Sequence, residues 1–513
     1  MRTDDSYRSI GRVTSMTADA FTIELHHRLN HFTTVGFDDI HYLAQIGSFM
    51  MIPLLSDYIV TEIVELWEKD PTNRSPIQEE NTHKFTKTTS TKYLKVIPLG
   101  TLPKDINKEF CSGISAFPSL YTEALYILDK ELDRIFNVKD EGQQEEAKKY
   151  ITIGTSTVFE KYDIKIRLDD YFGRHSAILG NTGSGKSCTM AAVLQSLFKK
   201  EPQNATFIIF DVHGEYKQAF SAHSYKRITR DHQDQEDDIF ILPPSFLSLE
   251  EWASLLRPSS QSQKPALEKA LEALDPKSFH NVGTLLTKIQ ELKSNKKFLL
   301  PNNGHNKDFY NRLSNIQTSR NFSFLRNNEN LSQNKKEEYI EEYIKGLLGF
   351  ETKNTEKTKK QHQIIILDLQ EASDEALGLI SAVLARLIFE WIRNSDKKDR
   401  CPIHFILDEA HRYIPAKFSS NFNNDSSPQG THIHTYDTLE RLAKEGRKYG
   451  IFLQVISQRP SELSKTVLSQ CSNFIIHKIQ NPDDLRYIQQ MTPYISESIT
   501  KRLPSLPQRH ALV

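Results

Sequence analysis

The sequence has few cysteines and no excess of charge of either sign. Its four cysteines among 513 residues are Cys111, Cys188, Cys401 and Cys471, and no two of them form a C-x-x-C pair. Their scarcity and spacing argue against a disulfide scaffold and against a structural zinc site. The 65 Lys and Arg residues balance 66 Asp and Glu residues. The net charge therefore neither favours nor excludes a nucleic-acid partner, because positive charge can be concentrated locally.

Long hydrophobic runs are also missing. No apolar stretch approaches the roughly 20 residues that a membrane-spanning helix needs, and the N-terminal residues 1–5 contain no apolar signal core. These absences predict a soluble protein of the cytoplasm, without a membrane partner. Hydrophobic residues make up 38% of the chain, which is enough to bury the cores of about two to four domains.

The first 115 residues predict a small β-barrel. Apolar and polar residues alternate at 21–25, and further strand-type runs lie between glycine and proline turn signals at Ser48–Leu54, Tyr58–Leu66 and Tyr93–Leu99. A β-rich addition to the domain that follows is an alternative interpretation. Apolar residues then recur at helical spacing over 120–136, so residues 116–164 are predicted to form a helical segment and a linker, the latter at the charged stretch 139–149.

From residue 165 onward the pattern predicts an α/β fold. Near-continuous apolar runs of strand length, separated by helical segments, indicate a parallel sheet that is covered on both faces. These runs are Ser176–Leu179, Thr206–Phe210, Ile364–Leu367, Ile403–Leu407, Ile451–Ile456 and Phe474–His477. The core would comprise residues 165–244 and 363–513. A polar helical insert at 245–362 would face DNA or a partner, or form a solvated lid.

One loop carries a specific chemical signature. It matches the pattern G-x-x-x-x-G-K-[ST], between a strand-type and a helical run, with the residues Gly180, Asn181, Thr182, Gly183, Ser184, Gly185, Lys186 and Ser187. The backbone N–H groups of such a loop, continued here through Cys188, converge on the phosphates of ATP. Lys186 is expected to reach the β- and γ-phosphates, and the Ser187 hydroxyl to bind Mg²⁺. The predicted cofactors are therefore ATP and Mg²⁺.

ATP hydrolysis also needs an acidic residue for Mg²⁺ and a group that orients or deprotonates water. Three strand-type runs end in aspartate, at Asp211, Asp368 and Asp408, and only Asp408 is followed directly by a second carboxylate, Glu409. We therefore predict that Asp408 binds Mg²⁺ and that Glu409 is the catalytic base. Asp368, followed by Leu369, is predicted to cap the next helix.

Two further segments concern the γ-phosphate. Gln458 follows the run 451–456, and its amide is placed to sense the γ-phosphate or the attacking water. Arg447 and Lys448 lie in the last turn of a predicted helix that ends at Gly450. Two interpretations of these cations remain open: ordinary compensation of the helix dipole, or an arginine finger that reaches the nucleotide of a neighbouring subunit.

Taken together, these residues resemble the HerA/FtsK superfamily of hexameric DNA-pumping ATPases, on the HerA branch. The resemblance covers residues 165–513 and, more weakly, the first 115 residues, which resemble the HAS-barrel of that family. It is carried by five motifs in order, at Arg174–Ser187, Asp211–Tyr216, Leu407–Arg412, Glu445–Gly450 and Ser457–Ser461. Five ordered motifs are more specific than a phosphate-binding loop alone.

The resemblance implies a RecA-like core in a homohexameric ring, with the ATP site at the subunit interface. Arg447 would be the arginine finger in trans, Arg174 a second arginine of the site, and Glu215 a residue near the nucleotide-binding face. Double-stranded DNA would pass through the central channel. The sequence given ends in a strand-type run at 509–513, where the family generally continues into a tail that braces the adjacent subunit.

HerA-type rings usually work with an effector docked on the barrel face, so the resemblance also implies a partner. This would be a nuclease or a sirtuin-like NAD-cleaving enzyme, in phage defence or DNA end processing. A different hypothesis is a ring that binds ATP to assemble and activate its effector without translocation. The sequence departs from the family at the polar stretch 419–434, which is predicted to be a loop.

Overall fold

The computed structural model divides the chain into two compact units. One comprises residues 1–167 with 496–501, and the other residues 168–495 with 502–513. The finer division into four segments remains a prediction. The structure describes residues 5–26, 33–35, 40–42, 45–69, 90–136, 149–159, 162–200, 205–220, 225–229, 238–258, 263–275, 279, 281–294, 304–326, 336–349, 363–370, 372–396, 400–416, 433–492 and 500–513.

The N-terminal unit contains eleven strands among its described residues. They are β1 (Ser9–Met16), β2 (Phe21–Leu25), β3 (Thr33–Val35), β4 (Ile40–Tyr42), β5 (Phe49–Pro53), β6 (Asp57–Lys69), β7 (Thr91–Pro103), β8 (Cys111–Ser112), β9 (Glu123–Tyr126), β10 (Tyr150–Thr155) and β11 (Asp163–Arg167). Six of them pair in the order β2-β1-β9-β5-β6-β7, and β7 pairs back onto β2. This closed antiparallel barrel confirms the predicted barrel.

The alternation of apolar and polar residues builds the interior of the barrel. Phe21, Ile23 and Leu25 on β2 are buried, whereas Thr22 and Glu24 between them are partly exposed. The side-chain period of two along a strand sends the first set inward and the second outward. Strands β8, β3–β4 and β10–β11 add an extension of β7 and two separate hairpins.

The helix predicted over 120–136 is only partly present. The structure has β9 at Glu123–Tyr126 and a short helix α1 at Asp129–Ile135. The apolar residues of β9 are buried on both faces, with Ala124 and Tyr126 in the barrel core and Leu125 in a second cluster with Leu132 of α1. The sequence of a strand that is buried on both faces is a continuous apolar run. Hydrophobic periodicity does not distinguish such a run from part of a buried helix. Most of the predicted linker at 139–149 lies outside the described residues.

The second unit is built on a nine-stranded sheet of described residues. Its strands are β12 (His175–Leu179), β13 (Thr206–Asp211), β14 (Tyr225–Thr229), β15 (Asp238–Ile239), β16 (Ile364–Asp368), β17 (Ile403–Leu407), β18 (Ile451–Ser457), β19 (Cys471–His477) and β20 (Ala511–Leu512). The order is β15-β14-β16-β13-β17-β18-β12-β19-β20, and all pairs are parallel except β19–β20. The six predicted strands and the predicted α/β fold with a parallel sheet are confirmed.

Helices cover this sheet. They are α2 (Leu168–Phe172), α3 (Lys186–Phe198), α4 (Leu249–Leu256), α5 (Gln263–Glu272), α6 (Val282–Ser294), α7 (Gly304–Thr318), α8 (Lys336–Leu347), α9 (Asp374–Asn394), α10 (Ile433–Glu445), α11 (Lys465–Gln470) and α12 (Pro482–Met491). Short 3-10 turns lie at Asp5–Arg8, Tyr216–Ala219, Pro244–Phe246, Arg320–Phe322, Ala410–Arg412, Gly446–Tyr449, Pro460–Glu462 and Leu503–Ser505. In the described part of the chain, no helix is both long and apolar enough to cross a membrane.

The insert helices α4 to α8 are packed into the core. Their buried residues belong to the same hydrophobic cluster as the central helix α9; they include Trp252, Leu267, Leu285, Leu313 and Ile344. Each of these side chains is fully buried. The described helices of the insert therefore form part of the core of the second unit and not a solvated lid. The loops predicted at 328–336 and 352–362 lie almost wholly outside the described residues.

A buried ion pair joins the insert to α9. Both Nε and Nη2 of Arg386 lie 2.8 Å from the two carboxylate oxygens of Glu251 on α4. Burial lowers the pKa of Arg386, but the hydrogen bond and charge of Glu251 outweigh it, so the pKa is raised. Glu251 also completes the predicted capping box of α4, because its carboxylate accepts the N–H of Ser248 at 2.7 Å.

We expect Glu251→Ala to lower the stability of the second unit by about 3 kcal/mol, because the largely buried Arg386 would lose its bidentate carboxylate partner and keep only the carbonyl of Phe246 and the more distant Glu390. The thermal unfolding midpoint measures this loss. Glu250→Ala is the matched control, since Glu250 pairs with Lys264 on the surface at 3.1 Å, and we expect it to cost less than about 1 kcal/mol. Equal losses for the two variants would contradict the assigned role of the buried pair.

Candidate functional site

The glycine-rich loop is held between two neighbouring strands. It follows β12, which lies between β18 and β19 in the sheet. Gly180 N–H donates to the carbonyl of Ser457 at the end of β18 (3.2 Å), and Asn181 N–H donates to the carbonyl of Lys478 just after β19 (2.9 Å). The loop is therefore fixed at the carboxyl edge of the sheet, where ligands bind in open parallel sheets.

Two of its positions require glycine. A Cβ on Gly180 would lie 2.5 Å from Cβ of His477, which real side chains do not tolerate. Gly185 has a φ of +110° directly before α3, in the region that favours glycine. The first turn of α3 then carries Lys186 and Ser187, with Cys188 exposed beside them.

Lys186 lies at the inner side of this loop. Its amine donates to the carbonyl of Asn181 at 3.1 Å, and the side chain is buried. Burial lowers the pKa of Lys186, and the nearby carboxylates of Glu409, Asp408 and Glu215 act in the opposite direction. The structure thus brings these four predicted site residues together.

Asp408 is the most perturbed acid of the site. Burial, together with the charges of Glu409, Asp211 and Glu215, raises its pKa to about 8, and the N–H of Glu409 acts in the opposite direction. This N–H donates to Oδ1 of Asp408 at 3.1 Å. Oδ2 of Asp408 is buried and has no hydrogen-bond partner, so a cation there would satisfy it.

Ser187 and Asp408 fit the predicted Mg²⁺ site. Both lie near the hydroxyl of Tyr216, whose pKa burial raises well above its usual value; Asp408 adds to that rise, and the Ser187 hydroxyl lowers it. Mg²⁺ at nucleotide sites is held by one or two protein oxygens together with phosphates and water. A hydroxyl and an unpartnered carboxylate oxygen supply this set. Among the described residues, no cluster of three or more His, Cys, Asp or Glu side chains could hold a metal.

The other two strand-end aspartates stabilise turns. Asp211 accepts the N–H groups of Gly214, Glu215 and Tyr216 at 2.8 to 3.2 Å. Asp368 accepts the N–H of Gln370 at 3.1 Å. The predicted helix cap at Asp368 is wrong, because Ser373 caps α9, with its hydroxyl accepting the N–H of Ala376. Asp368 lies too far before the helix to bond its first turn.

Glu409 is held between two histidines. It has a φ of +49°, which is unusual for a residue with a side chain. Its carboxylate lies 3.6 Å from Nε2 of His213 and 3.3 Å from Nδ1 of His411. Nδ1 of His411 is also 3.3 Å from the hydroxyl of Ser457. Sequence reasoning gave no role to either histidine, although both stand in the motifs that follow β13 and β17.

Gln458 lies beside the phosphate-binding loop, on the side of Glu409 and its two histidines. It follows β18, which lies between β17 and β12, so its amide stands between Glu409 and the loop. The hydroxyl of Thr182 donates a hydrogen bond to the amide oxygen of Gln458. The contact of Gln458 with the γ-phosphate or the attacking water remains a prediction.

Arg174 and Arg447 do not join the loop of their own chain. Arg174 precedes β12 and Arg447 precedes β18, so both lie at the amino edge of the sheet. Burial lowers the pKa of His175 at this edge to about 4, and the nearby charge of Arg447 contributes. Both arginine side chains are exposed, and neither guanidinium forms a hydrogen bond or ion pair within the part of the chain that the structure describes.

Comparisons with known proteins agree with this arrangement. The family description "Helicase HerA, central domain" matches residues 151–388. The DNA double-strand break repair helicase HerA of Sulfolobus acidocaldarius is 28% identical, over 75% of this chain and 68% of its own length. A probable helicase of Methanocaldococcus jannaschii is 26% identical, over 82% of this chain and 73% of its own length. The chain is similar to the HerA-like P-loop ATPases.

Solved structures of lower similarity also match this HerA-like ATPase. VirB4 of Thermoanaerobacter pseudethanolicus has a TM-score of 0.42 at 18% identity, over 70% of this chain and 91% of that one. The bacterial conjugative coupling protein TrwB has a TM-score of 0.47 at 11% identity, over 75% of this chain and 88% of that one.

We expect Asp408→Asn to stabilise the protein when nucleotide and Mg²⁺ are absent. The pKa of Asp408 is about 8 in the folded protein, against about 3.9 for an unfolded chain. Between these values the native state binds a proton that the unfolded state releases, so stability falls by up to about 1.4 kcal/mol per pH unit as pH rises. Asparagine does not titrate, so the variant does not lose stability in this way as the pH rises.

The measurement is the unfolding midpoint of both proteins in a chelator from pH 5 to pH 9. The advantage of Asp408→Asn should grow up to about pH 8 and then stay constant. Saturating Mg²⁺ and ATP should reverse it, because asparagine is a weaker ligand of Mg²⁺. An advantage independent of pH would show that Asp408 does not titrate in this range.

Proposed function

We propose that this HerA-like ATPase acts as a homohexameric ring that couples ATP hydrolysis to movement along double-stranded DNA. The observation that carries the proposal is the position of Arg174 and Arg447, at the edge of the sheet opposite the phosphate-binding loop. Several relatives are named as DNA double-strand break repair helicases, which supports DNA as the substrate. We place the ring in the cytoplasm.

The geometry supports the following proposed roles within one chain. The loop from Gly180 to Cys188 would bind the phosphates, and Lys186 would neutralise charge at the β- and γ-phosphates. Ser187 and Asp408 would hold Mg²⁺, which would neutralise negative charge on the phosphates. Glu409, buried between two histidines, would orient and deprotonate the attacking water, and Gln458 would position it.

The arginines need a neighbouring copy of the chain. Strand β12 has five residues, which at about 3.3 Å per residue separate its two ends by roughly 16 Å. Arg174 and Arg447 precede the amino ends of β12 and β18, whereas the loop follows the carboxyl end of β12. A guanidinium that stabilises the γ-phosphate in the transition state would therefore come from the adjacent subunit. Their exposure and their lack of described partners support this role.

A partner protein is proposed for one end of the barrel. Antiparallel pairing places the β5–β6 turn, the end of β7 and the start of β9 at the same end. Large apolar side chains are exposed there: Leu55, Ile106, Phe117, Leu120 and Tyr121. Contiguous exposed apolar residues mark protein interaction sites. We propose that this end binds a nuclease or a sirtuin-like NAD-cleaving effector, in phage defence or DNA end processing.

A second candidate is a ring that binds ATP in order to assemble and activate its effector without translocation. The apolar end of the barrel favours it, since that surface serves a partner whether or not DNA moves. The two candidates differ at Glu409. Glu409→Ala would leave effector activity intact in a scaffold ring and would abolish it in a translocase.

The arginine in trans is tested by mixing variants. Lys186→Ala should abolish duplex-stimulated ATP turnover, and Arg447→Ala should lower it by at least about 100-fold. In mixed rings, an intact loop on an Arg447→Ala subunit meets an intact Arg447 on a Lys186→Ala subunit. Turnover should therefore recover on mixing. No recovery would show that Arg447 does not act across the interface.

The matched control mixes Lys186→Ala with Glu409→Ala. Lys186 and Glu409 serve the same site of the same chain, so no mixed interface is complete and turnover should stay abolished. Unchanged turnover in Glu409→Ala alone would disprove its role as the base.

The partner surface is tested by charge substitutions at the barrel end. The proposed effector, a nuclease or a sirtuin-like NAD-cleaving enzyme, is co-expressed with this chain. Leu55→Asp and Ile106→Asp should weaken the complex at least tenfold and leave ATP turnover unchanged, because each places a charge in an apolar contact. Lys95→Asp, on the side wall of the barrel, is the control and should bind normally. Full binding by both end variants would exclude this surface.

A further inference from the structure

The C-terminal segment of the described chain lies against the phosphate-binding loop. Strand β20 pairs with β19, and Ala511 stands opposite His477. Nδ1 of His477 is 3.0 Å from the carbonyl of His510, and Nε2 is 2.9 Å from the hydroxyl of Thr189 on α3. Burial lowers the pKa of His477, so a neutral ring that donates from Nδ1 and accepts at Nε2 satisfies both contacts. His477 thus fixes the segment to the helix that follows the loop.

Arg509 is the residue of this segment that contacts the loop. Its N–H donates to the carbonyl of Ser184 at 3.1 Å. Its Cα and Cγ atoms lie 3.6 and 3.7 Å from the position that a Cβ on Gly185 would take. The aliphatic part of the arginine side chain therefore lies across a glycine whose N–H belongs to the phosphate cradle.

The backbone of Arg509 adopts a conformation that favours glycine. Its φ is +64°, where a Cβ is crowded by the backbone. The pairing of β20 and the contacts of His477 and Ser184 hold it there. A glycine would adopt the same φ without crowding, so the arginine side chain is present against the local preference of the backbone.

The guanidinium of Arg509 has no described partner. The side chain is exposed, and it forms no hydrogen bond or ion pair within the described residues. Lys186, by contrast, faces three carboxylates. These carboxylates and Arg509 lie on opposite sides of β12, because β17 precedes and β19 follows it in the sheet order. An unpaired cation thus stands beside the loop, on the side away from Glu409.

We propose that Arg509 binds the α- and β-phosphates of the nucleotide in its own subunit. The γ-phosphate lies towards Asp408 and Glu409 in the proposed site, so a guanidinium on the β19 side meets the part of the phosphate chain that ATP and ADP share. Arg509 then contributes to the affinity for both nucleotides and not to the hydrolysis step. The inference rests on the proposed nucleotide site, and it gives Arg509 a role distinct from that of the arginines in trans.

The test is the affinity of Arg509→Gly for ATP and for ADP, each with Mg²⁺, measured by calorimetry on the full chain. Glycine keeps the backbone conformation, so the unfolding midpoint of the nucleotide-free protein should not fall. We expect both dissociation constants to rise about tenfold and kcat to stay unchanged, while Arg509→Lys should recover part of the affinity. Arg486→Ala, which removes an exposed arginine from α12, is the control and should bind both nucleotides normally.

Three outcomes would overturn the inference. Unchanged affinities in Arg509→Gly would show that the residue only braces the loop through its backbone. A loss for ATP without a loss for ADP would place the guanidinium on the γ-phosphate. A loss of kcat at unchanged affinity would give it a role in hydrolysis. In this experiment, the proposed nucleotide site itself fails where the wild-type protein binds neither nucleotide, or where Lys186→Ala binds as the wild type does.

Discussion

Burial of carboxylates at one edge of a parallel sheet governs the site. Parallel strands end at the same edge, so a chain that places an acid after several of them collects these acids in one place. Asp211 and Asp408 are buried there, with Glu409 beside them. Asp211 accepts three backbone N–H groups, whereas Asp408 accepts one and keeps a free oxygen. Hydrogen bonds therefore offset the burial of Asp408 less than that of Asp211, so a bound cation stabilises the protein more at Asp408.

The same constraint explains why the site could be predicted from the sequence in large part. A glycine-rich loop between a strand and a helix is a local pattern, and so is a strand that ends in Asp408 and Glu409. Neither requires knowledge of distant contacts. The roles given to these residues remain predictions, but the structure brings Lys186, Asp408, Glu409 and Gln458 to one place, because the strands that carry them are adjacent in the sheet.

What sequence reasoning missed depends on pairing between distant segments. The strand at Glu123–Tyr126 closes the barrel between β1 and β5, and only those partners distinguish its apolar run from a helix. The two interpretations of the insert could not be separated from the sequence, because the apolar sides of its helices are buried in a cluster that includes residues of the distant helix α9. The contact of Arg509 with Ser184 joins residues more than 300 positions apart. No local period or motif signals such a contact.

The direction of the strands also divides the cationic side chains into two groups, one near the phosphate-binding loop and one far from it. Lys186 follows β12, and Arg509 precedes β20, which runs antiparallel to its neighbour β19, so both are near the loop of their own chain. Arg174 and Arg447, which precede the parallel strands β12 and β18, lie a full strand length away. Because the fold is rigid across a buried sheet, no side-chain movement closes that distance. A catalytic contribution from the second group therefore requires another copy of the chain, and hydrolysis at one site then depends on how the neighbouring subunit is positioned.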